Sequence, residues 1–233
     1  MNEFTEKHHA FIAASFYDVL TDRFGERGKQ AFIMATRRYA EQRGSRMAQR
    51  AVRDGRKLDF ATYCEYGEWV NTQTVKDLGC SNKSHIESYS PDYVTHITCC
   101  PWATQFAEMD LKDGGVVYCT YLDPSIVRGF NPELTFITEQ SLHDHDFCIQ
   151  RVVNAGLSEG FKAQKKMEYV KGFDYHCGHN YKTYSEISGA VFGEEGKAAA
   201  EEVLKRFEKK YGREMTDVLL SYLDTDFNLI LKV

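Results

Sequence analysis

A chain of 233 residues is long enough to bury the core of one substantial domain or of two small ones. Hydrophobic residues make up 42% of the sequence and charged residues 27%, which are the proportions of an ordinary globular protein. The net charge of −5, with both signs mixed along the chain, argues against nucleic-acid binding, which usually requires a basic surface.

The beginning of the chain and its cysteine content predict a cytoplasmic protein. "MNEFTEKHHAFIAASF" has two glutamates before its first apolar stretch and does not resemble a signal peptide. No apolar run approaches the roughly 18 residues that cross a bilayer, so no membrane partner is expected. Seven cysteines are an odd number, and reduced thiols are the simplest interpretation.

Both ends of the chain have the apolar spacing of helices. The pattern runs over residues 9–54, where "RFGERG" interrupts it, and it returns in the C-terminal region. The segment "FGERGKQAFIMATRRYAEQRGSRM" from Phe24 resembles "FGEEGKAAAEEVLKRFEKKYGREM" from Phe192. A duplicated helical hairpin explains this likeness, as do two independent amphipathic hairpins that each turn at a glycine.

The middle of the chain has the alternation of β-strands. "DYVTHITCC" alternates from residue to residue, and "LTFIT" and "HDFCIQRVV" form a second β-rich pair. We expect an α+β fold with a mostly antiparallel central sheet and helical hairpins from both termini packed on it. Residues 1–233 are expected to form a single domain, helical over 1–60 and 183–223, sheet-rich over 63–153 and irregular over a cover at 158–182. Within 91–153 the predicted order is strand, helix, helix, strand, strand.

The stretch "CCPWA" joins a predicted strand to a predicted helix. Pro101 suits the first helical turn because it has no N–H group to leave unsatisfied. Cys100 then lies at the helix N-terminus, where free N–H groups and the helix dipole would lower its thiol pKa. Cys99 points to the opposite strand face and is expected to be core. The alternative is that Cys100 is itself a small buried hydrophobe.

The next motif, "YCTYLDP", places a second thiol near a carboxylate. Cys119 and Asp123 lie four residues apart and hence on one helical face. Pro124 disfavours helical geometry at the residue before it, so Asp123 is expected at a helix end. The common alternative for such an aspartate is a solvated position without a role in chemistry.

A third group of polar residues falls in "HDHDFCIQR". Strand alternation puts Asp146 and Cys148 on one face and His145 and Arg151 on the other. Cysteines 100, 119 and 148 with a histidine could form a zinc site, but no C-x-x-C pair is present and no metal ligand set is predicted. "HCGH" brings His176 and His179 together, and its glycine favours a loop with a structural role.

Four motifs, "CPWA", "YCTYLD", "GFNPEL" and "HDFCIQR", occur in this order and spacing over residues 96–153. Together they resemble the L-2-amino-thiazoline-4-carboxylic acid hydrolase family. The resemblance implies hydrolysis of a cyclic isothiourea: water adds to the carbon between ring sulfur and nitrogen, and the ring opens to N-carbamoyl-cysteine. Such a reaction needs a nucleophile or an activated water, a proton donor and a cation for the substrate carboxylate, and it needs no cofactor.

The resemblance and the residue chemistry together predict the site. The catalytic candidates are Cys100, Asp123, Asp146, Cys148 and His145, and the substrate-binding candidates are Arg151, Cys119, Trp102 and Asn131. We expect Cys100 to be the nucleophile, with Cys119 and Cys148 as alternatives, and Asp146 or His145 to move protons. Arg151 is expected to hold the carboxylate with its planar fork, since no structural need for a cation is evident on that strand.

Two other functions fit the same residues. The first is a small-molecule sensor that binds its ligand in a cysteine-lined pocket without turnover. The second is a metal-dependent hydrolase. The expected partner in every case is a small molecule, and self-association into a homo-oligomer is left open.

Overall fold

Helical hairpins from the two ends of the chain pack on each other, and the middle of the chain forms a four-stranded sheet. The computed structural model describes residues 3–230. Its helices are α1 Glu6–Phe24, α2 Glu26–Arg53, α3 Phe60–Tyr66, α4 Gln73–Asp77, α5 Pro101–Glu108, α6 Lys112–Phe130, α7 Phe173–Phe192, α8 Glu194–Tyr211 and α9 Arg213–Leu220. Its strands are β1 Lys83–Ser88, β2 Tyr93–Cys99, β3 Phe136–Gln140 and β4 Cys148–Val152, and a 3₁₀ turn spans Met167–Tyr169. The predicted α+β class is confirmed.

The sheet has the order β1-β2-β4-β3, and every neighbouring pair is antiparallel. The order strand, helix, helix, strand, strand over residues 91–153 is therefore confirmed by β2, α5, α6, β3 and β4. In the central pair, Ile97 lies opposite Cys148 and Thr95 lies opposite Gln150. Since side chains alternate along a strand, these four share one face, and that face lines a cavity.

The two hairpins turn in the same backbone conformation. Gly25, between α1 and α2, has φ 57° and ψ −132°, and Gly193, between α7 and α8, has φ 60° and ψ −133°. Residues other than glycine rarely adopt such a positive φ. The preceding residues, Phe24 and Phe192, stack on each other with ring centroids 3.8 Å apart. This agreement favours a duplicated hairpin over two independent ones.

Helix α6 continues through its proline, which corrects one expectation. It runs to Phe130 with Pro124 inside it, so Asp123 lies within the helix and not at its end. An internal proline costs about 3 kcal/mol, and α6 nevertheless continues through it where the helix packs closely on α2. A Cβ on Gly44 would lie 2.0 Å from the carbonyl oxygen of Ile126, so the two backbones approach directly.

The predicted irregular cover is shorter than expected. Residues 173–182 belong to α7, so the irregular cover of 158–182 is wrong beyond residue 172. The "HCGH" motif therefore lies in a helix and not in a loop. The ring of Tyr222 packs against Gly178 so closely that an added Cβ would lie 2.5 Å from its Cδ2. Only glycine fits at this position of the helix.

The buried apolar core lies mainly among the helices. Its largest cluster joins residues of α1, α2, α6, α7 and α8, and Trp102 and Phe106 of α5 pack into it. A smaller cluster around Phe60, Val152 and Leu157 lies against the sheet. None of the helices formed by residues 3–230 is long and apolar enough to cross a membrane.

Candidate functional site

A cavity with two adjoining lobes lies between the sheet and helices α2, α5 and α6. The cysteine lobe has a volume of about 220 Å³, and its walls include Cys100, Trp102, Tyr118, Cys119, Leu122 and Cys148. The tyrosine lobe has a volume of about 420 Å³, and its walls include Phe60, Tyr63, Cys64, Tyr93, Phe136 and Lys165. Both lobes are lined by Arg43, Trp69, Ile97, Asp123 and Gln150, which form the junction between them.

Five of the predicted site residues meet in the cysteine lobe: Cys100, Trp102, Cys119, Asp123 and Cys148. They come from three places in the fold. The first two are the N-cap and second residue of α5, the next two lie one turn apart on α6, and the last is the first residue of β4. The expectation that Cys119 and Asp123 share a helical face is confirmed.

The cavity thiols are protonated at neutral pH. Burial raises the pKa of Cys100 to about 12, although the amide N–H groups of Ala103 and Trp102 act in the opposite direction. Burial also raises the pKa of Cys119 well above its usual range and raises that of Cys148. The expectation that the helix N-terminus lowers the pKa of Cys100 is therefore wrong, because desolvation outweighs the helix amides.

The three thiols differ in what they contact. The Sγ of Cys119 lies 3.3 Å from Nε2 of His143, a residue that our sequence analysis did not select. The Sγ of Cys148 accepts a hydrogen bond from the backbone N–H of Leu142 at 3.2 Å. Cys99 lies outside the cavity, partly exposed, with its thiol 3.8 Å from the carbonyl oxygen of Gly79.

Asp123 is the acidic group at the junction. Its Oδ2 accepts a hydrogen bond from Nε2 of Gln150 at 2.9 Å. Burial raises the pKa of this carboxyl to about 6, while the charge of Arg43 and the bond from Gln150 act in the opposite direction. Asp123 is therefore ionised at pH 7, and it can gain or lose a proton within about one pH unit of neutrality.

Arg43 is the cationic group at the junction, and our sequence analysis missed it. Its side chain comes from α2, the residue is 5% exposed, and its Nε has no hydrogen-bond partner among residues 3–230. Two other buried arginines of the same helix, Arg46 and Arg50, both pair with Glu68, at 2.8 and 2.6 Å. A buried guanidinium with an unused donor is poised to receive an anion.

A second cation reaches the tyrosine lobe from the irregular segment before α7. Lys165 donates from Nζ to the carbonyl oxygen of Trp69 at 3.0 Å. Burial and the nearby charge of Arg43 lower its pKa. Among the described residues that line the cavity, two cationic side chains accompany one carboxylate, that of Asp123, a balance that favours an anionic ligand.

Two predicted catalytic residues lie away from the cavity. Asp146 and His145 are exposed in the turn between β3 and β4, and Nδ1 of His145 lies 2.9 Å from the carboxylate of Asp144. Strand alternation does not apply to them because β4 begins only at Cys148. The predicted shared face of Asp146 and Cys148 is therefore wrong.

Two predicted binding residues have structural partners. Arg151 bonds Glu139 at 2.5 Å and Asp92 at 3.2 Å, so the expectation that no structural partner needs this cation is wrong. Asn131 caps the end of α6, donating from Nδ2 to the carbonyl oxygen of Leu58 at 2.8 Å. The structure does not bring either residue to the cavity.

The histidines of "HCGH" are buried in the helical core. Nε2 of His179 lies 2.8 Å from Oε1 of Gln42, and Nε2 of His176 lies 3.1 Å from the carbonyl oxygen of Glu68. Within the part of the chain that the structure describes, no group of three or more His, Cys, Asp or Glu side chains is arranged to hold a metal ion.

Comparison with known proteins identifies a family. The family model described as L-2-amino-thiazoline-4-carboxylic acid hydrolase matches residues 4–149, which is more than half of the chain. No curated protein sequence matches significantly, and no solved structure does. The matched range contains the two charged residues of the junction, Arg43 and Asp123, and all three thiols of the cysteine lobe.

Proposed function

The chain belongs to the L-2-amino-thiazoline-4-carboxylic acid hydrolase family, and we propose that it hydrolyses a small cyclic compound that carries a carboxylate. The ring would be a thiazoline, a cyclic amidine or a lactam. The observation that carries this proposal is that Arg43 and Asp123 both line the junction of the two lobes. One group offers an unused donor to an anion, and the other exchanges protons near neutral pH.

The reaction on a thiazoline has three requirements. Water adds to the carbon between ring sulfur and ring nitrogen, the carbon–sulfur bond breaks, and the product is a urea with a free thiol. The site must hold the carboxylate, accept a proton from the nucleophile and return one to the leaving sulfur. The cavity supplies a group for each requirement.

Arg43 is the group that would hold the substrate carboxylate. Its guanidinium can form two parallel hydrogen bonds with a carboxylate, and burial strengthens them because water does not compete. This role was predicted for Arg151, whose guanidinium is already paired with Glu139 and Asp92. Lys165 adds a second positive charge on the side of the tyrosine lobe.

Asp123 is the group that would move protons. A carboxyl with a pKa of about 6 is mostly ionised at pH 7, yet it is more basic than an ordinary aspartate. It faces the same lobe as the three thiols, so it can serve a water or a thiol nucleophile. Cys100, which was predicted to be the nucleophile, stays a candidate beside Cys119 and Cys148.

One observation favours the alternative of a sensor. All three thiols of the cysteine lobe have raised pKa values, and a protonated thiol is a poor nucleophile. A protein that only binds its ligand would have no need for a reactive thiol. Turnover therefore separates the two functions.

The test uses purified protein and a substrate panel. L-2-amino-thiazoline-4-carboxylate, its analogue without the carboxylate, and carboxylated lactams are incubated with the protein, and products are measured by mass. We expect a gain of one water on carboxylated substrates, and a much higher KM in Arg43→Lys but not in Arg151→Lys. Binding of the panel without any product would support the sensor instead.

A further inference from the structure

We infer that Cys119 and His143 form the nucleophile and general base of the proposed hydrolysis, on which this inference rests. Neither the family match nor the sequence analysis assigns a role to His143. The pair lies at the wall of the cysteine lobe, where Cys119 is exposed to the cavity and His143 lies behind it.

The contacts distinguish Cys119 from the other two thiols. Its Sγ lies 3.3 Å from an imidazole nitrogen, which is within hydrogen-bond reach of a basic side chain. The sulfur of Cys148 instead accepts a backbone N–H, and the hydrogen-bonding groups that act on Cys100 are the backbone N–H groups of Ala103 and Trp102. A backbone amide cannot remove a proton from a thiol, whereas an imidazole can.

Two neighbours confine the imidazole ring, and a hydrogen bond holds the backbone that carries it. An added Cβ on Gly115 of α6 would lie 2.1 Å from Nδ1 of His143, so the ring fits only because this residue is glycine. The ring of Phe106 packs edge-on at a centroid distance of 5.4 Å, and the backbone N–H of His143 donates to Ser141 Oγ at 3.3 Å. This support fixes Nε2 toward the sulfur.

The imidazole is unprotonated before the reaction, so its ring is free to accept a proton. His143 is 5% exposed, and burial lowers its pKa to about 4, so the ring is neutral at pH 7. Its Nδ1 has no hydrogen-bond partner among the described residues. With the single ring proton on Nδ1, Nε2 has a free lone pair to accept the proton of the Cys119 thiol.

The steps balance without any added reactant. The Cys119 sulfur bonds to the ring carbon as its proton passes to His143 Nε2; the bond from that carbon to the ring sulfur breaks, and the ring sulfur takes the proton. This leaves an isothiourea that joins Cys119 to the opened substrate. Water then adds to the same carbon: Asp123, which lines the same lobe, passes one water proton to the substrate nitrogen, and His143 passes the other to the departing Cys119 sulfur, so that the urea product is released.

Alkylation by iodoacetamide tests the pair without any substrate. Labelling rates at each cysteine are followed by peptide mapping, with Cys99 as an internal reference outside the cavity. We expect Cys119 to label faster than Cys100, and His143→Gln to slow Cys119 by about tenfold or more. The Cys99 rate stays the same. Glutamine can keep a hydrogen bond to the sulfur, but it cannot take its proton.

The wild-type comparison stands even if His143→Gln fails to fold. Labelling of Cys119 no faster than that of Cys100 overturns the inference, and so does a Cys119 rate that does not change in folded His143→Gln.

The proposed function is tested separately with L-2-amino-thiazoline-4-carboxylate. Acid quenching during turnover should trap an adduct of the whole substrate mass on Cys119. Turnover with an adduct on Cys100 would overturn this inference but leave the hydrolase intact. Absence of turnover, with fast His143-dependent labelling of Cys119, would overturn the hydrolase but leave the pair.

Discussion

Replacing Asp123 with asparagine should make the protein more stable and at the same time inactive. The carboxyl at the cavity junction has a pKa of about 6 instead of its ordinary 3.8. The folded protein therefore holds this proton more tightly than the unfolded chain does. The contribution of Asp123 to the free energy of unfolding is highest below pH 4 and falls as the pH rises through about 6, because the folded state must then bury its charge.

The magnitude follows from the size of the shift. A pKa raised by about two units costs the wild type about 3 kcal/mol at pH 7 and only about 0.5 kcal/mol at pH 4. Asparagine does not ionise, and its side-chain oxygen can still accept the hydrogen bond from Gln150. The other charged or titratable groups facing Asp123 are Arg43, Tyr63 and the thiols, which keep their charge states between pH 4 and 7.

Urea unfolding of wild type and Asp123→Asn at pH 4 and pH 7 measures the effect. We expect the variant to be more stable by about 2–3 kcal/mol at pH 7 and nearly equal at pH 4. Titrations common to both proteins cancel in the difference. An equal difference at the two pH values would refute the reasoning, because it would show that Asp123 ionises as freely in the folded protein as in the unfolded chain.

Three further outcomes are expected. The kcat/KM for a carboxylated substrate should fall tenfold per pH unit below about pH 6, following Asp123, and a flat profile down to pH 5 would exclude this group from the reaction. Arg43→Lys should raise KM about tenfold with a smaller effect on kcat, because the point charge of an ammonium replaces the planar guanidinium. The control Arg151→Lys should leave KM unchanged, and equal effects of the two substitutions would remove Arg43 from the binding site. Gly115→Ala should lower kcat about 100-fold or more, since its Cβ displaces the His143 ring, and a folded, fully active variant would contradict the role of that ring.

Periodicity predicted the architecture well because it is a local property of the chain. The helical hairpins at both ends and the order of elements over residues 91–153 followed from apolar spacing and from Pro101 at the start of α5. The helix end predicted at Asp123 was wrong because the rule for a residue before proline considers only local geometry. It does not include the close packing of α6 on α2. The loop predicted for "HCGH" was wrong for a similar reason, because Gly178 lies in a helix where Tyr222 packs against it.

The candidate site was only partly predictable. Cys100, Cys119, Asp123 and Cys148 carry chemistry that a sequence shows, and the fold brings them together. In the sequence, Arg43 is one of many charged residues on a long helix. Its spacing from the buried positions of α2 is the only feature of the sequence that indicates its burial.

His143 stood in a run of alternating histidines and aspartates, where nothing in the sequence separated it from His145. Its position beside Cys119 depends on a glycine, Gly115, that is distant in the sequence. Contacts of this kind between separate elements cannot be obtained from the pattern of one chain.

The most direct test of the central claim is a mass measurement on one reaction. Purified protein is incubated with L-2-amino-thiazoline-4-carboxylate, and the small molecules are analysed while free thiols are titrated. We expect a product heavier than the substrate by one water, with one new thiol for each molecule converted and no product from Asp123→Asn. Saturable binding of the thiazoline with unchanged mass and no new thiol would contradict a hydrolase and identify the cavity as a binding site alone.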